Sequence, residues 1–438
     1  MKRIISFALL LICLVPLKGN AEEIIKKDEV LNVERCIEIG LKRQPNIIAA
    51  QNTVEVNEFR IGEAKSNYYP QVSWTSGYSR LSQLTTSSLS ANGALLTGVV
   101  VQTGTFDQFT NNAALSQNIY DFGRTSTQVK IANLNFDSSR FDLHNVSEQI
   151  IQNVQQAYYG ELQAKRNRDV NIDTVKQYVQ HLEQAKGFFE VGTKPRFDVI
   201  QAEVNLSNAK LNLIKAENAF KIARVNLNNA MGVPDAPDYS IEDNLSFKQY
   251  EITLEDALAK AYENRPDLQS AIAKRKAAEV SVESAKANYY PFLTGNAAYD
   301  WAGGRFDQYD HSWSVGAIFT VPVFSGFLTK YQVGEARANL NVLKANEESL
   351  RQTVILDVQQ AYLNLRAVEE AIPTAELGVR QAQENMDITN GRYAAGVGNP
   401  IEVTDAEVSL SNAKLSYIQA LSDDKVAQAN LEKAMGLR

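Results

Sequence analysis

The side chains that could support catalysis or metal binding do not stand at productive spacings in this sequence. Its three histidines, His144, His181 and His311, are scattered, and none has a partner at the spacing of a zinc site. No glycine-rich phosphate loop and no nucleophile elbow is present. The sequence therefore predicts no catalytic residue, no metal ligand and no cofactor, and it disfavours an enzyme.

Carboxylates do recur at one kind of position, just after two glycine-centred turns. The first turn, FFEVGTKPRFDVIQAE, contains Gly192 and Asp198, and the second, RYAAGVGNPIEVTDAE, contains Gly396, Glu402 and Asp405. Glycine suits the left-handed conformation that ends many helices. A carboxylate in the first turn of the next helix is favoured by the helix dipole. Each turn is therefore predicted to join two helices.

The helices around these turns are predicted to be unusually long. No proline occurs from about Gly123 to Phe189, which at about 1.5 Å per residue is roughly 100 Å of helix. The matching stretch from about Phe327 to Tyr393 contains only Pro373, where we expect a kink or local unwinding. Each returning helix keeps a heptad pattern in which alanine alternates with a large residue, except at Asp424, which the pattern does not explain.

One structural plan occurs twice along the chain. Three motif pairs share an offset of 204 residues: LSNAKL at 206–211 and 410–415, VQQAY at 154–158 and 358–362, and NAMG at 229–232 with KAMG at 433–436. The NYYP pair is offset by 221 residues, so the first copy has about 17 extra residues. We predict these in an exposed loop at 85–108. The two repeats are assigned to residues 22–245 and 246–438.

Two β-like segments follow each NYYP motif. HSWSVGAIFTVPVF alternates with a period of two residues and places Trp313, Val315, Ala317, Phe319, Val321 and Val323 on one face. In the first copy, Val72 and Trp74 lead one strand, and Ala113, Leu115 and Ile119 mark its partner. About 9–11 tilted residues cross a bilayer as a strand. The alternative is a half-buried strand of a soluble sandwich.

Residues 1–21 are predicted to be a cleaved export signal. Lys2 and Arg3 precede an apolar core, and GNA ending at Ala21 offers a cleavage site. This core is shorter than the roughly 20 apolar residues of a membrane-spanning helix. Removing the signal changes the formal charge from −7 to about −10 and leaves Cys36 as the single cysteine. An acidic balance disfavours nucleic acid as a partner.

Membrane strands must be paired at both edges, because lipid cannot hydrogen-bond them. Known transmembrane barrels start at about 8 strands, so one chain with four cannot close a barrel. Three chains would supply about 12 strands, with their long helices continuing as a tube. The strand count favours an oligomer without fixing its number.

In the order of these elements, the sequence resembles the TolC-like outer-membrane efflux proteins. The resemblance covers nearly the whole mature chain and rests on the duplicated plan, the NYYP junctions, YDFG at 120–123 with FSGF at 324–327, the NAKL helices and the AMG ends. It implies an α+β membrane protein: a trimeric transmembrane β-barrel of about 12 strands in outer-membrane lipid, continued by a long periplasmic α-helical barrel.

The resemblance also implies function and partners. The homotrimer would be an exit duct served by a periplasmic adaptor (membrane fusion) protein and an inner-membrane pump, with multidrug or other small-molecule efflux favoured. Type I protein secretion is one alternative. A structural coiled-coil envelope protein without a pore is another, although it would not explain the alternating strands.

By the same resemblance, the glycine turns form the periplasmic tip. Asp198 would be a gate carboxylate with Tyr393 as its partner, and Glu402 and Asp405 would form an acidic ring that attracts cations. Stabilisation of helix N-termini is an equally weighted alternative for these carboxylates, and one residue can do both. Gly192 and Gly396 would mark the turns that dock the adaptor.

Two further features concern the tip and the membrane border. Where the family example has an arginine two residues after the second glycine, this sequence has Gly398, with Lys194 and Arg196 as candidate substitutes. Pro70 and Pro291 are expected to force the change from helix to strand. The tyrosines before them suit the headgroup level or pack between helices: Tyr68, Tyr69, Tyr289 and Tyr290.

Overall fold

The computed structural model describes residues 25–87, 90–91, 94–95 and 100–437, so the predicted export signal lies outside the described residues. The first half contains β1 (Val30–Leu31), α1 (Val33–Arg43), α2 (Pro45–Ser66), β2 (Gln71–Ser87), β3 (Ser90–Ala91), β4 (Ala94–Leu95), β5 (Val100–Tyr120), α3 (Arg124–Glu190) and α4 (Arg196–Ala230). The second half contains β6 (Ser240–Ile241), α5 (Leu254–Asn264), α6 (Pro266–Ala287), β7 (Phe292–Arg305), β8 (Gln308–Thr320), α7 (Leu328–Ala394) and α8 (Pro400–Met435).

These elements belong to two compact units. One comprises the described residues up to Gln44, Val154–Ser246 and Asn385–Ile418. The other comprises Pro45–Asn153, Phe247–Glu384 and the segment from Gln419 onward. Both sequence repeats contribute to both units, because the long helices run from one unit into the other.

One antiparallel sheet combines the strands of both repeats in the order β2-β5-β7-β8. Its register places Trp74 opposite Ala113, Ala113 opposite Tyr299, and Tyr299 opposite Trp313. Side chains at directly opposed positions lie on the same face of a sheet. The predicted period of two is therefore confirmed, and this face carries exposed aromatic residues, with Trp313 and Val315 both largely exposed.

The other face of the sheet is small and polar. Ser73 is opposite Ala114, Ala114 is opposite Ala298, and Ala298 is opposite Ser314. Asn112 donates to the carboxylate of Asp300 across the neighbouring strands. The sheet therefore separates an apolar surface from a polar one, as alternation of side chains along each strand requires.

The prediction of a loop at 85–108 is wrong at both of its ends. Residues 85–87 belong to β2 and residues 100–108 to β5, with Ser87 paired to Val100. β2 and β5 reach 17 and 21 residues, against 14 and 13 for β7 and β8. Threonine and valine recur in this segment, and β-branched residues fit a paired, pleated strand. The extra residues lengthen one hairpin.

The two long helices, α3 and α7, contain 67 residues each. The unwinding expected at Pro373 does not occur: α7 continues as a helix through this residue. Proline removes one backbone hydrogen bond at this point. The neighbouring Ile372 is fully buried, so side-chain packing holds the helix where the backbone ladder is weakened.

Each returning helix ends in a glycine that touches a short helix. Gly232 and Gly436 both have positive φ, at 72° and 67°. A Cβ on Gly232 would meet the backbone of Arg43 at 3.0 Å, and one on Gly436 would meet Arg265 at 2.8 Å. The repeated AMG ending therefore combines a helix stop with a close backbone approach.

The helix-to-strand change at both NYYP motifs is confirmed. α2 ends at Ser66 before β2, and α6 ends at Ala287 before β7. Half or more of each tyrosine at these junctions is exposed: Tyr68, Tyr69, Tyr289 and Tyr290. Across the described residues, the structure contains no helix that is both long enough and apolar enough to cross a membrane.

Two residues that the sequence left unexplained are fully buried. Cys36 packs in the interior, and burial raises the pKa of its thiol to about 12, so it is an unreactive structural thiol. Burial also raises the pKa of Asp424, whose Oδ2 accepts a hydrogen bond from Gln428 at 3.0 Å. The Lys425 ammonium lies 3.6 Å from the same oxygen, so this polar heptad position has local partners.

Candidate functional site at the glycine turns

Both glycine turns end a long helix by the same backbone pattern. Gly192 and Gly396 have φ angles of 78° and 77°, in the left-handed region. In the first turn Gly192 N donates to Phe189 O at 3.0 Å, and in the second Gly396 N donates to Tyr393 O at 2.9 Å. The predicted helix-ending role of both glycines is confirmed. All the residues of this site lie within one compact unit.

Tyr393 and Asp198 are brought together beside the turns. Tyr393 is fully buried, and Asp198 is almost so, although it stands in the first turn of α4. Burial, and then the charge of Asp198, raise the pKa of the Tyr393 hydroxyl. That hydroxyl has no hydrogen-bond partner among the described residues. The predicted pair is therefore close within one chain, without a direct hydrogen bond.

His181 completes this group, and sequence reasoning missed it. Its ring centroid lies 5.0 Å from that of Tyr393, and Phe188 packs on the same tyrosine at 5.5 Å. Burial lowers the pKa of His181, while the charge of Asp198 opposes that change. The buried Nδ1 of His181 has no hydrogen-bond partner among the described residues, so the contact that the structure shows for this side chain is ring packing on Tyr393. The only sequence signal was its position one helical turn after Tyr178, on the same face of α3.

Glu402 and Asp405 are both exposed in the single chain. Glu402 Oε2 lies 3.4 Å from the Arg392 guanidinium, an ion pair between the two helices that leave the second turn. Sequence reasoning missed Arg392, which stands directly before Tyr393. Because both side chains of the pair are about half exposed, the attraction is weak.

Gly398 occupies a position that has no room for a side chain. A Cβ there would lie 2.7 Å from the Tyr393 backbone nitrogen, so an arginine would clash. Lys194 of the first turn donates to Gly398 O at 3.3 Å, and its ammonium lies 5.8 Å from the Tyr393 ring centroid. Lys194 therefore joins the first turn to the second, whereas Arg196 is exposed.

Apolar side chains are exposed on both turns. They stand before and after the two glycines, where a monomeric soluble protein seldom exposes several large apolar groups together. The exposed set comprises Phe189, Val191, Phe197, Val397 and Ile401. Such a surface suits contact with another protein.

No group of three or more histidine, cysteine or acidic side chains in the described parts of the chain could hold a metal ion. What the site can do is mechanical and electrostatic. It links two helical turns, places exposed carboxylates beside them, and presents apolar side chains to solvent.

Comparison with known proteins finds similarity to outer-membrane efflux proteins. A family model described as outer membrane efflux protein matches residues 37–233 and 257–437. The outer membrane protein TolC of Escherichia coli K12 is 24% identical over 342 residues, which cover 74% of this chain and 68% of that protein. The probable efflux pump outer membrane protein TtgC of Pseudomonas putida is 22% identical over 409 residues, covering 92% and 82%. Among solved structures, CusC superposes with a TM-score of 0.79 at 17% identity, covering 92% of each chain.

Proposed function

Because this chain belongs to the outer membrane efflux protein family, we propose that three copies assemble into one duct that carries small molecules out of the cell. The protein is an outer-membrane exit duct with a large helical periplasmic portion. The trimer, the cargo and the gate are the parts of this proposal that need argument from the residues.

A difference in exposure between the two repeats carries the proposal of a trimer. On α4, Ile214 is 62% exposed, whereas its counterpart 204 residues later on α8, Ile418, is 7% exposed. Val225 on α4 is 64% exposed, and its counterpart Ala429 is 3% exposed. The α8 face lies against α3: Thr174 reaches Ser411 in one unit, and Gln152 donates to Asn430 in the other.

The helices α3 and α7 also differ in the exposure of equivalent residues, in a way that complements the difference between α4 and α8. On α7, Leu363 is 64% exposed, whereas its counterpart on α3, Tyr159, is 8% exposed. The exposed stripes of α4 and α7 are thus the equivalents of two faces that pack together inside the chain. A second copy that laid its α7 on this α4 would repeat the α3–α8 contact. Such a head-to-tail contact generates a ring when the rotation between copies closes, and the proposed trimer is such a ring.

The sheet requires the same direction of assembly. β2 and β8 are its two edges, and an unpaired edge cannot face lipid. Pairing β8 of one copy with β2 of the next joins the second repeat to the first, as the helices do. Three chains of four strands give about 12 strands, within the range of known barrels.

Small-molecule efflux is favoured for the cargo. The relative TtgC, which matches over 92% of this chain, is described as part of an efflux pump. We propose that an inner-membrane pump drives export and that a periplasmic adaptor protein docks at the turns of Gly192 and Gly396. The exposed apolar side chains on both turns support that docking surface.

For the gate, we propose that Tyr393, Asp198 and Lys194 hold the tip closed. Lys194 takes the place of the arginine that Gly398 excludes, because it crosses from one turn to the other. Glu402 and Asp405 would form the acidic ring in the trimer, where each exposed carboxylate is repeated around the mouth. The tyrosines of the NYYP motifs would lie at the border of the outer membrane that faces the periplasm: Tyr68, Tyr69, Tyr289 and Tyr290.

Cross-linking tests the proposed assembly at residue level. Gln152 contacts Asn430 within the chain, so Leu356 of one copy should meet Asn226 of the next. Leu356→Cys combined with Asn226→Cys should give covalent dimers and trimers with a short bis-maleimide, while each single variant should not. Cys36 is buried and does not compete. If the protein is monomeric, gives no cross-linked product and shows no conductance in bilayers, the results would instead support a structural coiled-coil protein without a pore.

A further inference from the structure

A polar hollow of about 210 Å³ lies among α3, α4 and α8, within one compact unit. Amide and hydroxyl groups form most of its wall: Asn171, Thr174, Asn205, Asn208, Asn212 and Ser411. On α8 the lining of the hollow extends from Thr404 to Asn412, and none of the proposed gate residues contributes to it.

Glu407 is the acidic side chain in this wall. It is only 2% exposed, and its Oε2 has no hydrogen-bond partner in the described structure. The Tyr178 side chain of α3 lies beside this carboxyl in the wall, and Tyr178 itself packs against Leu206 and Ala209 of α4. One carboxyl therefore touches the junction of three helices.

No basic side chain faces this carboxyl from any helix that lines the hollow. α3 contributes Tyr178 as its titratable group, α4 contributes amides and Ala209, and α8 contributes Thr404, Ser411 and Glu407 itself. Asp405 is the nearby charge that acts on Tyr178, and it is negative. An ionised carboxylate here would lack a counter-charge, so burial raises the pKa of Glu407 to about 8.

The first repeat offers an internal comparison. Glu203 is the counterpart of Glu407, in the same AEV context on α4, yet it is exposed to solvent. The enclosed acid is thus a property of the second repeat alone. Nothing in the AEV motif itself requires the burial of a carboxyl.

We propose that Glu407 is a proton-operated clamp, which holds α8 against α3 and α4 while its carboxyl is neutral and releases the first turns of α8 when the carboxyl ionises. The neutral carboxyl can remain inside the wall beside the Tyr178 hydroxyl. The ionised form must be hydrated, and the adjoining hollow of about 210 Å³ has room for water. The unpartnered Oε2 is buried in the wall and not open to that water, so hydrating it requires α8 to move away from α3 and α4. α8 carries Glu402 and Asp405, so the clamp regulates the proposed gate and rests on the proposed duct for that effect.

Hydrogen exchange of the purified full-length protein tests the clamp without any reference to transport. The measured quantity is the ratio of the amide protection factors of residues 404–412 in the wild type to those in Glu407→Gln at the same pH. We expect this ratio to fall about tenfold per pH unit above the pKa of Glu407. Glu203→Gln should behave as the wild type. Equal protection in wild type and Glu407→Gln from pH 6 to 9 would overturn the proposal.

Infrared difference spectroscopy provides the second measurement. Glu148 also contributes to the protonated-carboxyl band at pH 7, so the component that belongs to Glu407 is identified in the Glu148→Gln background. That component should be present at pH 7 and lost above pH 9, and it should vanish on Glu407→Gln, persist on Glu203→Gln and shift on Tyr178→Phe. Its absence at pH 7 would show that the carboxyl is already ionised and would overturn the clamp. Bilayer conductance is then recorded on the same samples. A protein that titrates as expected but forms no pore would contradict the proposed duct and leave the clamp standing.

Discussion

The α3–α4 hairpin and the α7–α8 hairpin share one register, yet they enclose different acidic residues. Just after the turns, Asp198 is buried and its counterpart Glu402 is exposed. Five residues further along each helix the order is reversed, because Glu407 is buried and its counterpart Glu203 is exposed. The backbone of the two turns is nearly the same, with glycine φ angles of 78° and 77°. The repeat thus fixes the path of the chain, while neighbouring helices decide which carboxylates meet water.

The same comparison extends to apolar residues. The second repeat covers its returning helix with α3 of the same chain, and the first repeat leaves the matching face of α4 open. The unequal burial of equivalent positions is what the proposed contact between copies would explain, and the two hairpins should therefore respond differently to matched substitutions.

The largest effect is expected at the open face of α7. Leu363→Asp places a charge where the proposed contact between copies would bury it, and an unpaired buried charge costs several kcal/mol, about 3–5 by analogy with broken buried pairs. We expect the trimer to disappear in native mass spectrometry, together with conductance. Asn364→Asp adds the same charge at the next residue, which points away by about 100° on the helix, and it should remain trimeric. A trimer that survives Leu363→Asp would contradict the α4–α7 contact.

The next effect is a dependence of stability on pH, which arises from the buried carboxyls of Glu407 and Glu148. The folded pKa of Glu407, about 8, lies above its ordinary value of 4.5, so the folded state binds the proton more tightly. The contribution of Glu407 to stability is therefore fully present below about pH 4.5 and is lost as the pH rises through about 8, a total of about 5 kcal/mol. Thermal unfolding followed by circular dichroism from pH 5 to 9 should show this decline, and Glu407→Gln should flatten it.

Glu148 offers a control in the other compact unit. Burial likewise raises its pKa, to about 7, and its Oε1 lacks a partner among the described residues. Glu148→Gln should therefore remove a decline in stability that ends about one pH unit below the decline caused by Glu407. An unchanged curve for both glutamine variants would show that neither carboxyl is neutral in the folded protein.

A smaller effect is expected at the link between the turns. Lys194→Met removes a hydrogen bond from a charged donor to Gly398 O, a bond worth about 1.5–3 kcal/mol. We expect the closed tip to open more often, with a several-fold rise in single-channel conductance at neutral pH. Arg196→Met removes the neighbouring exposed cation and should leave conductance unchanged. Equal conductance in Lys194→Met and the wild type would contradict the role of this lysine.

Tyr393 sharpens that comparison. Its ring packs on His181 and Phe188, whereas its hydroxyl has no partner in the described chain. Tyr393→Phe should therefore leave the closed conductance near that of the wild type, and Tyr393→Ala should raise it by removing the packed ring. If Tyr393→Phe opens the tip as much as Tyr393→Ala does, the hydroxyl must bond to a neighbouring copy.

Periodicity and glycine placement made much of this fold predictable. The period-two alternation around Trp313 and the turns at Gly192 and Gly396 depend on local conformation, and both were confirmed. The loop prediction at 85–108 failed because glycine and serine suggested a turn, while strand pairing with the opposite segment prevailed. Composition does not reveal which strand will be available as a partner.

The candidate site was predictable only in part. Asp198 and Tyr393 were implied by the family resemblance, and their distances from the turn glycines gave their positions in this sequence. His181 and Glu407 were missed, since each acquires its role from a helix distant in sequence. Arg392 was missed although its partner, Glu402, lies just across the second turn. A heptad pattern identifies buried positions on one helix but does not identify the helix that covers them.

The smallest effect is expected for the exposed charges after the second turn. The Arg392–Glu402 pair spans 3.4 Å with both side chains about half exposed, so its contribution lies between zero and about 1 kcal/mol. Arg392→Gln should therefore leave the thermal midpoint nearly unchanged, because an exposed ion pair of this kind contributes little to stability. It should, however, free Glu402 to act with Asp405 on passing ions. Cation selectivity from reversal potentials should therefore rise slightly in Arg392→Gln and fall in Glu402→Gln with Asp405→Asn, whereas Glu203→Gln on the first hairpin should have no effect. If Glu203→Gln lowers selectivity as much as the double variant, the ring does not belong to the second hairpin.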